Sequence, residues 1–217
     1  MSSLSDIKLH YLAIPGKPES LGRGEVCNLL LKDSGLKYEY TKLDFAKFKS
    51  TKQEYAAKGL VQPTLPYLEV NGKCYGKSTP ILRFLAKKLG KYDGKDDDEI
   101  QLVDAISDAV GDWYGQWGLA VWGGQTTPEG GETPVEKYNR ETFPASVKEF
   151  DAVLGKTSGP YLLGDEPTYA DFMLYHVVDD SKVTGAPSIA DFPNMDKFVK
   201  AIESRPNLKD YIASLKN

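Results

Sequence analysis

Cysteine and histidine are nearly missing from this sequence: Cys27 and Cys74 are its only thiols, His10 and His176 its only imidazoles. Two cysteines cannot build a disulfide framework, and two isolated histidines form no metal or catalytic cluster. No stretch of apolar residues approaches the length of a membrane span or a signal-peptide core. An excess of positive charge is lacking too, with 27 Lys and Arg against 31 Asp and Glu and a net charge of −4. A nucleic acid would find no electrostatic footprint. Internal repeats and low-complexity tracts are also absent. What remains is a soluble globular protein of a reducing compartment, with the cytoplasm as the expected location.

The 217 residues, 41% of them hydrophobic, suffice for two domains. The first third alternates strand and helix signals. Residues 7–14 are β-branched and aromatic and stop at Pro15-Gly16, whereas 23–34 carry Val26, Leu29 and Leu30 at helical spacing and stop before Gly35. A second strand is expected over 38–43, and the lysine-rich stretch 45–58 reads as irregular or short helical. Strands over 67–70 and 73–75 are joined by Asn71-Gly72, a dipeptide suited to the positive dihedrals of a tight hairpin. A helix opens at Ser78 with Pro80 in its first turn and Ile81, Leu82, Leu85 and Leu89 along one face. The order βαβ then ββα predicts a thioredoxin-like α/β domain over 1–91. Residues 92–98 are polar and acidic and read as a linker. Beyond it, strand signals fade and helices are expected over 100–122, 135–154, 169–178 and 195–204, with a loop at 123–133. This predicts an all-α helical-bundle domain over 99–217.

Two runs carry a family resemblance. Leu65-Pro66-Tyr67-Leu68-Glu69-Val70-Asn71-Gly72, followed by Lys77-Ser78-Thr79-Pro80-Ile81-Leu82-Arg83-Phe84-Leu85-Ala86, resembles the glutathione-binding half of cytosolic glutathione transferases. Leu162-Leu163-Gly164-Asp165-Glu166-Pro167-Thr168-Tyr169-Ala170-Asp171 resembles the buried helix start of their second domain. The resemblance implies a dimeric, tyrosine-type enzyme of the alpha, mu, pi or sigma kind. It would conjugate the glutathione thiolate to hydrophobic electrophiles, with peroxidase or isomerase side activity open and no metal required. The alternative is a noncatalytic binding or regulatory module, as in elongation-factor gamma subunits and crystallin-like relatives.

The same resemblance implies site residues. Pro66 would be cis, turning the backbone of Leu65 toward the cysteinyl unit; without it, Pro66 reads as the start of an edge strand. Ser78 would hold the γ-glutamyl carboxylate at the positive end of a helix, a place where serine otherwise serves as a cap. Lys77 departs from the usual Gln or Glu, and its charge favours the ligand's carboxylate over its ammonium. Tyr11 matches the tyrosine that donates to the thiolate, with Ser20 in that role as the serine-type alternative. A free phenol of pKa about 10 stays protonated at neutral pH. Arg23 matches the family's Gly-Arg element. Lys47 or Lys49 could reach the glycyl carboxylate or simply be solvated, and Gln62 and Thr64 precede the cis motif in a stretch with extra residues. Asp112, on an acidic stripe with Asp104 and Asp108, matches the aspartate that crosses to a partner subunit's glutathione. Tyr114, Trp117 and Trp122 are the candidate acceptor-pocket aromatics, or plain helix core. Cys27 reads as packing, and Thr168 with Asp171 as a structural capping box.

Overall fold

A computed structural model describes residues 4–14, 19–60, 62–124, 127 and 130–215. Its contacts divide the chain into two compact units, Met1–Lys91 with Arg205–Asn217, and Tyr92–Ser204.

The first unit is built on a four-stranded mixed sheet of order β2-β1-β3-β4. Strand β1 (Ile7–Leu12) leads to α1 (Gly24–Ser34), β2 (Glu39–Leu43), α2 (Phe45–Ala57), β3 (Tyr67–Val70), β4 (Lys73–Gly76) and α3 (Ser78–Leu89). β1 runs parallel to β2 and antiparallel to β3, which is antiparallel to β4. Asn71 and Gly72 have φ of 52° and 77°, the hairpin geometry their types favour. The stretch 45–58 is a regular 13-residue helix, because Asp44 caps it by accepting from the Lys47 amide at 2.6 Å. Only Tyr55 of α2 is buried, so a periodicity search finds little there. Ile7, Leu9 and Leu68 lie under α1 and α3, while Leu43, Tyr55, Leu60, Tyr67 and Cys74 form a second cluster on the α2 side.

The last helix, α9 (Lys209–Leu215), belongs to this unit and lies beyond the final helix expected from the sequence, at 195–204. Its approach is fixed by Arg205, whose guanidinium grips the Asp33 carboxylate at 2.5 and 2.7 Å. Asn207 donates to the Asp33 carbonyl, and Tyr211 donates to Glu25 at 2.7 Å.

His10 projects to the α2 face and stacks on Tyr67 with ring centroids 4.3 Å apart. Neither ring nitrogen has a hydrogen-bond partner among the described residues, and burial lowers its pKa below the ordinary histidine value. The unfolded chain therefore takes up a proton that the folded one resists. Stability from this source is full above the unfolded pKa of about 6.5 and is lost as pH falls through it. His10→Phe, which keeps the stacked ring, is expected to lose less melting temperature than wild type between about pH 7.5 and pH 5.5.

The second unit is all helical: α4 (Asp97–Trp122), α5 (Pro134–Lys137), a π-helical turn at Tyr138–Thr142, α6 (Phe143–Leu154), α7 (Tyr169–Ser181), a 3-10 turn at Lys182–Thr184 and α8 (Pro193–Glu203). α4 starts three residues before the expected point, inside the acidic stretch. Asp96 caps it by accepting from the Glu99 amide at 2.9 Å, and Asp97, Asp98 and Glu99 fill a first turn that favours negative charge. Residues 125, 126, 128 and 129 of the expected 123–133 loop lie outside the described residues. α4 packs along α7, and α6 against α8. Inside, Trp113 Nε1 donates to the Tyr138 hydroxyl at 2.9 Å, which pairs with Ser181 at 2.8 Å, while Tyr114 donates to Asp180 at 2.7 Å. Thr168 and Asp171 form the expected capping box at the start of α7. The fully buried Asp171 carboxylate accepts from the Thr168 amide, the Thr168 hydroxyl and the Leu162 amide at 2.7 to 2.9 Å. Burial lifts this carboxyl to about 6 against the pull of those donors.

Candidate functional site

Strand register gathers the candidate residues of the first unit at one end of the sheet. His10 pairs with Tyr67, so Tyr11 continues opposite Pro66. Tyr67 pairs with Gly76, which sets Leu65-Pro66 opposite the start of α3, at Lys77 and Ser78. The Leu65–Pro66 peptide is cis, as the resemblance implies. Leu65 packs on the α2-side cluster. Thr64 keeps its hydroxyl oxygen buried without a partner among the described residues, a costly arrangement in a protein interior.

Lys77 has φ 68° and ψ 128°, a conformation natural only to glycine. Such strain costs about 1–3 kcal/mol and gathers at ligand-binding positions. Its side chain is exposed, and Ser78 behind it is buried at the positive end of the 12-residue α3. The Cys27 thiol donates to the Ser78 carbonyl at 3.9 Å. That thiol is wholly buried and its pKa is pushed up by burial and by the Glu25 charge, which suits packing and not nucleophilic chemistry.

Tyr11 is half-buried in β1. A Cβ at Gly22 would overlap its hydroxyl, and one at Gly24 would overlap its Cβ and Cγ, so the Gly22-Arg23-Gly24 backbone lies directly against the phenol. Gly24→Ala must displace a ring held in place at its base; the expected loss is about 1–3 kcal/mol of stability, read from the urea midpoint. Arg23 is the exposed N-cap of α1. Ser20 is 7% exposed, while residues 15–18 of the same loop lie outside the described residues. Lys47 and Lys49 are exposed on α2, and Gln62 is exposed before the cis motif.

In the second unit Asp112 is exposed on α4 and lines a pocket of about 450 Å³ with Ile106, Trp113, Gln116, Glu149 and Phe150. Tyr114 and Trp117 are 8% and 1% exposed and sit in the core, ring centroids 5.0 Å apart; Trp122, 52% exposed, ends the same helix. Helical spacing identified these aromatics but could not tell which side of α4 is covered. Sequence alone singles out neither Gly24 nor Lys42, nor the packing of Gly22 against Tyr11. Two glycines flanking an arginine ahead of a helix, and a lysine at an inward strand position, were the available signals.

The family model of the Glutathione S-transferase N-terminal domain matches residues 8–87, and that of the C-terminal domain matches residues 112–215. The class-mu 26 kDa isozyme 1 glutathione S-transferase of Fasciola hepatica is 31% identical over 206 residues, covering 91% of this chain and 87% of that protein. The chain belongs to the glutathione S-transferase family. Glutathione S-transferase P of Bos taurus is 28% identical over 195 residues, 89% of this chain and 88% of its own. The pi-class glutathione S-transferase structure from Onchocerca volvulus superposes with a TM-score of 0.82 at 24% identity, covering 98% of this chain and 94% of that one, a likeness of fold. The N-terminal family model thus spans β1 through most of α3, and the C-terminal one runs from the middle of α4 through α9.

Proposed function

We propose that this glutathione S-transferase binds glutathione at the end of the sheet where Tyr11, Leu65-Pro66 and Lys77-Ser78 converge, and transfers its sulfur to hydrophobic electrophiles. The observation that carries this is the strained Lys77 at the mouth of α3, set by register opposite the cis Leu65–Pro66 peptide. Leu65 offers its main chain to the cysteinyl unit. Ser78 and the first amides of α3 receive the γ-glutamyl carboxylate, and Lys77 adds positive charge beside it. Thr64 has a hydroxyl in need of a partner, and the exposed Arg23 and Lys49 would add positive charge near the tripeptide. Tyr11 donates to the thiolate, with Ser20 as the alternative donor. No step calls for a metal.

The functional division is 1–91 and 99–217 around the 92–98 connection, with α9 lending its contacts to the first part. The protein works as a homodimer in the cytoplasm. Exposed Ile100, Leu102 and Leu119 on α4 suit a second copy, and Asp112 would meet the γ-glutamyl ammonium of the partner's ligand. Trp122 faces the electrophile, while Tyr114 and Trp117 hold α4 from the core.

Turnover of glutathione with an activated aryl halide tests the reading. Saturable conjugation above the solution rate is expected. Glutathione binding with no turnover of aryl halide, hydroperoxide or enone would instead establish the noncatalytic module.

A further inference from the structure

Lys42 occupies an odd place. It lies on β2 directly beside Tyr11 in the parallel β1/β2 register, half-buried on the side of the sheet that α1 covers. Its Nζ stands 4.4 Å from the Tyr40 ring centroid and 5.4 Å from that of Tyr11, and it donates to the Glu19 carbonyl at 2.7 Å. Among the described residues no carboxylate forms an ion pair with it. The ammonium therefore spends its hydrogen bond on the loop beside Ser20 and its field on two aromatic faces.

A hydrophobic residue would fill this strand position without the cost of burying a cation. We infer that Lys42 is a positioning residue of the Tyr11 site, clamping the Glu19–Ser20 loop to β2 and holding the phenol in a field that favours negative charge at and beside its hydroxyl. The inference deepens the proposed function, since it rests on Tyr11 serving the thiolate. Several titratable groups set that field. From α1, Glu25 is buried in the first turn and Arg23 stands at its N-cap; the loop adds Glu19, β1 adds Tyr11, β2 adds Tyr40, and α9 adds Tyr211, bonded to Glu25. Burial pulls the Lys42 pKa down while Glu25 and Glu19 push it back up. The carboxylates thus help keep the cation without contacting it.

The test compares full-length wild type, Lys42→Met and Lys42→Arg, each with Tyr11 present and as Tyr11→Phe. Tyrosinate absorbance is titrated so that the Tyr11 contribution appears by difference, and the pH dependence of kcat/KM is followed. In Lys42→Met the Tyr11 phenol is expected to ionise about one pH unit higher. The acid limb of kcat/KM should move in the same direction, with KM for glutathione nearly unchanged and both shifts reversed in Lys42→Arg. A Lys42→Met protein that folds with both titrations at their wild-type positions overturns the inference. So does a rate loss by the same factor at every pH. If Lys42→Met does not fold, Lys42→Gln takes the same measurements. Should wild type fail to ionise bound glutathione, the functional reading falls, while the phenol titration still decides whether Lys42 acts on Tyr11.

Discussion

Tyr11→Phe is expected to lower kcat/KM for glutathione conjugation roughly a hundredfold near neutral pH and to leave glutathione affinity within a few-fold of wild type. A free thiol has a pKa of about 8.5, and lowering it by roughly two units requires nearly 3 kcal/mol of preferential interaction with the anion. A hydrogen bond to a charged group supplies about 1.5–3 kcal/mol, so one phenol accounts for most of the shift. Its removal acts on the thiolate and not on the tripeptide's other anchors, which predicts a rate loss without a binding loss. The ring is packed against Gly22 and Gly24 on one edge, and phenylalanine preserves that packing. The protein should therefore stay folded and the loss should shrink as pH rises past the thiol's own pKa. Ser20→Ala serves as the control, expected to keep both rate and pH profile. A reversal of the two results would move the donor role to serine.

The second large effect concerns folding. Asp171→Ala is expected to destabilise the helical unit by about 3–5 kcal/mol, because it strands the Leu162 and Thr168 amides and the Thr168 hydroxyl in the interior at about 1–3 kcal/mol apiece. Domains have only about 5–15 kcal/mol to lose, so the variant should melt far lower or fail to accumulate. Asp171→Asn keeps one carbonyl acceptor and is expected to fall between. Circular dichroism melting separates the three. Equal midpoints for wild type and alanine would show that the Asp171 bonds contribute nothing net.

Local chemistry made much of this legible from the sequence. Asn71-Gly72 specifies a hairpin because few dipeptides accept two positive φ values, and Thr168 to Asp171 specifies a cap because its partners lie within three residues. Features set by distant contacts were hidden. Helix α9 has one buried residue, Ile212, and its attachment depends on Asp33 and Glu25, far away in the chain. The coverage of α4 could not be read either: Tyr114, Trp117 and Trp122 all look like helix aromatics, and only packing separates the two buried ones from the exposed one. The role of Lys42 depends on register with Tyr11, which strand periodicity does not supply.

The most direct test is the thiolate absorbance of glutathione bound to the wild-type protein, titrated with pH and paired with calorimetric binding. Saturable binding with the bound thiol ionising about two units below its free value, and that shift lost in Tyr11→Phe, is the expected result. A thiol that titrates in the complex as it does in water, or no binding at all, would contradict a thiolate-stabilising site at the end of this sheet.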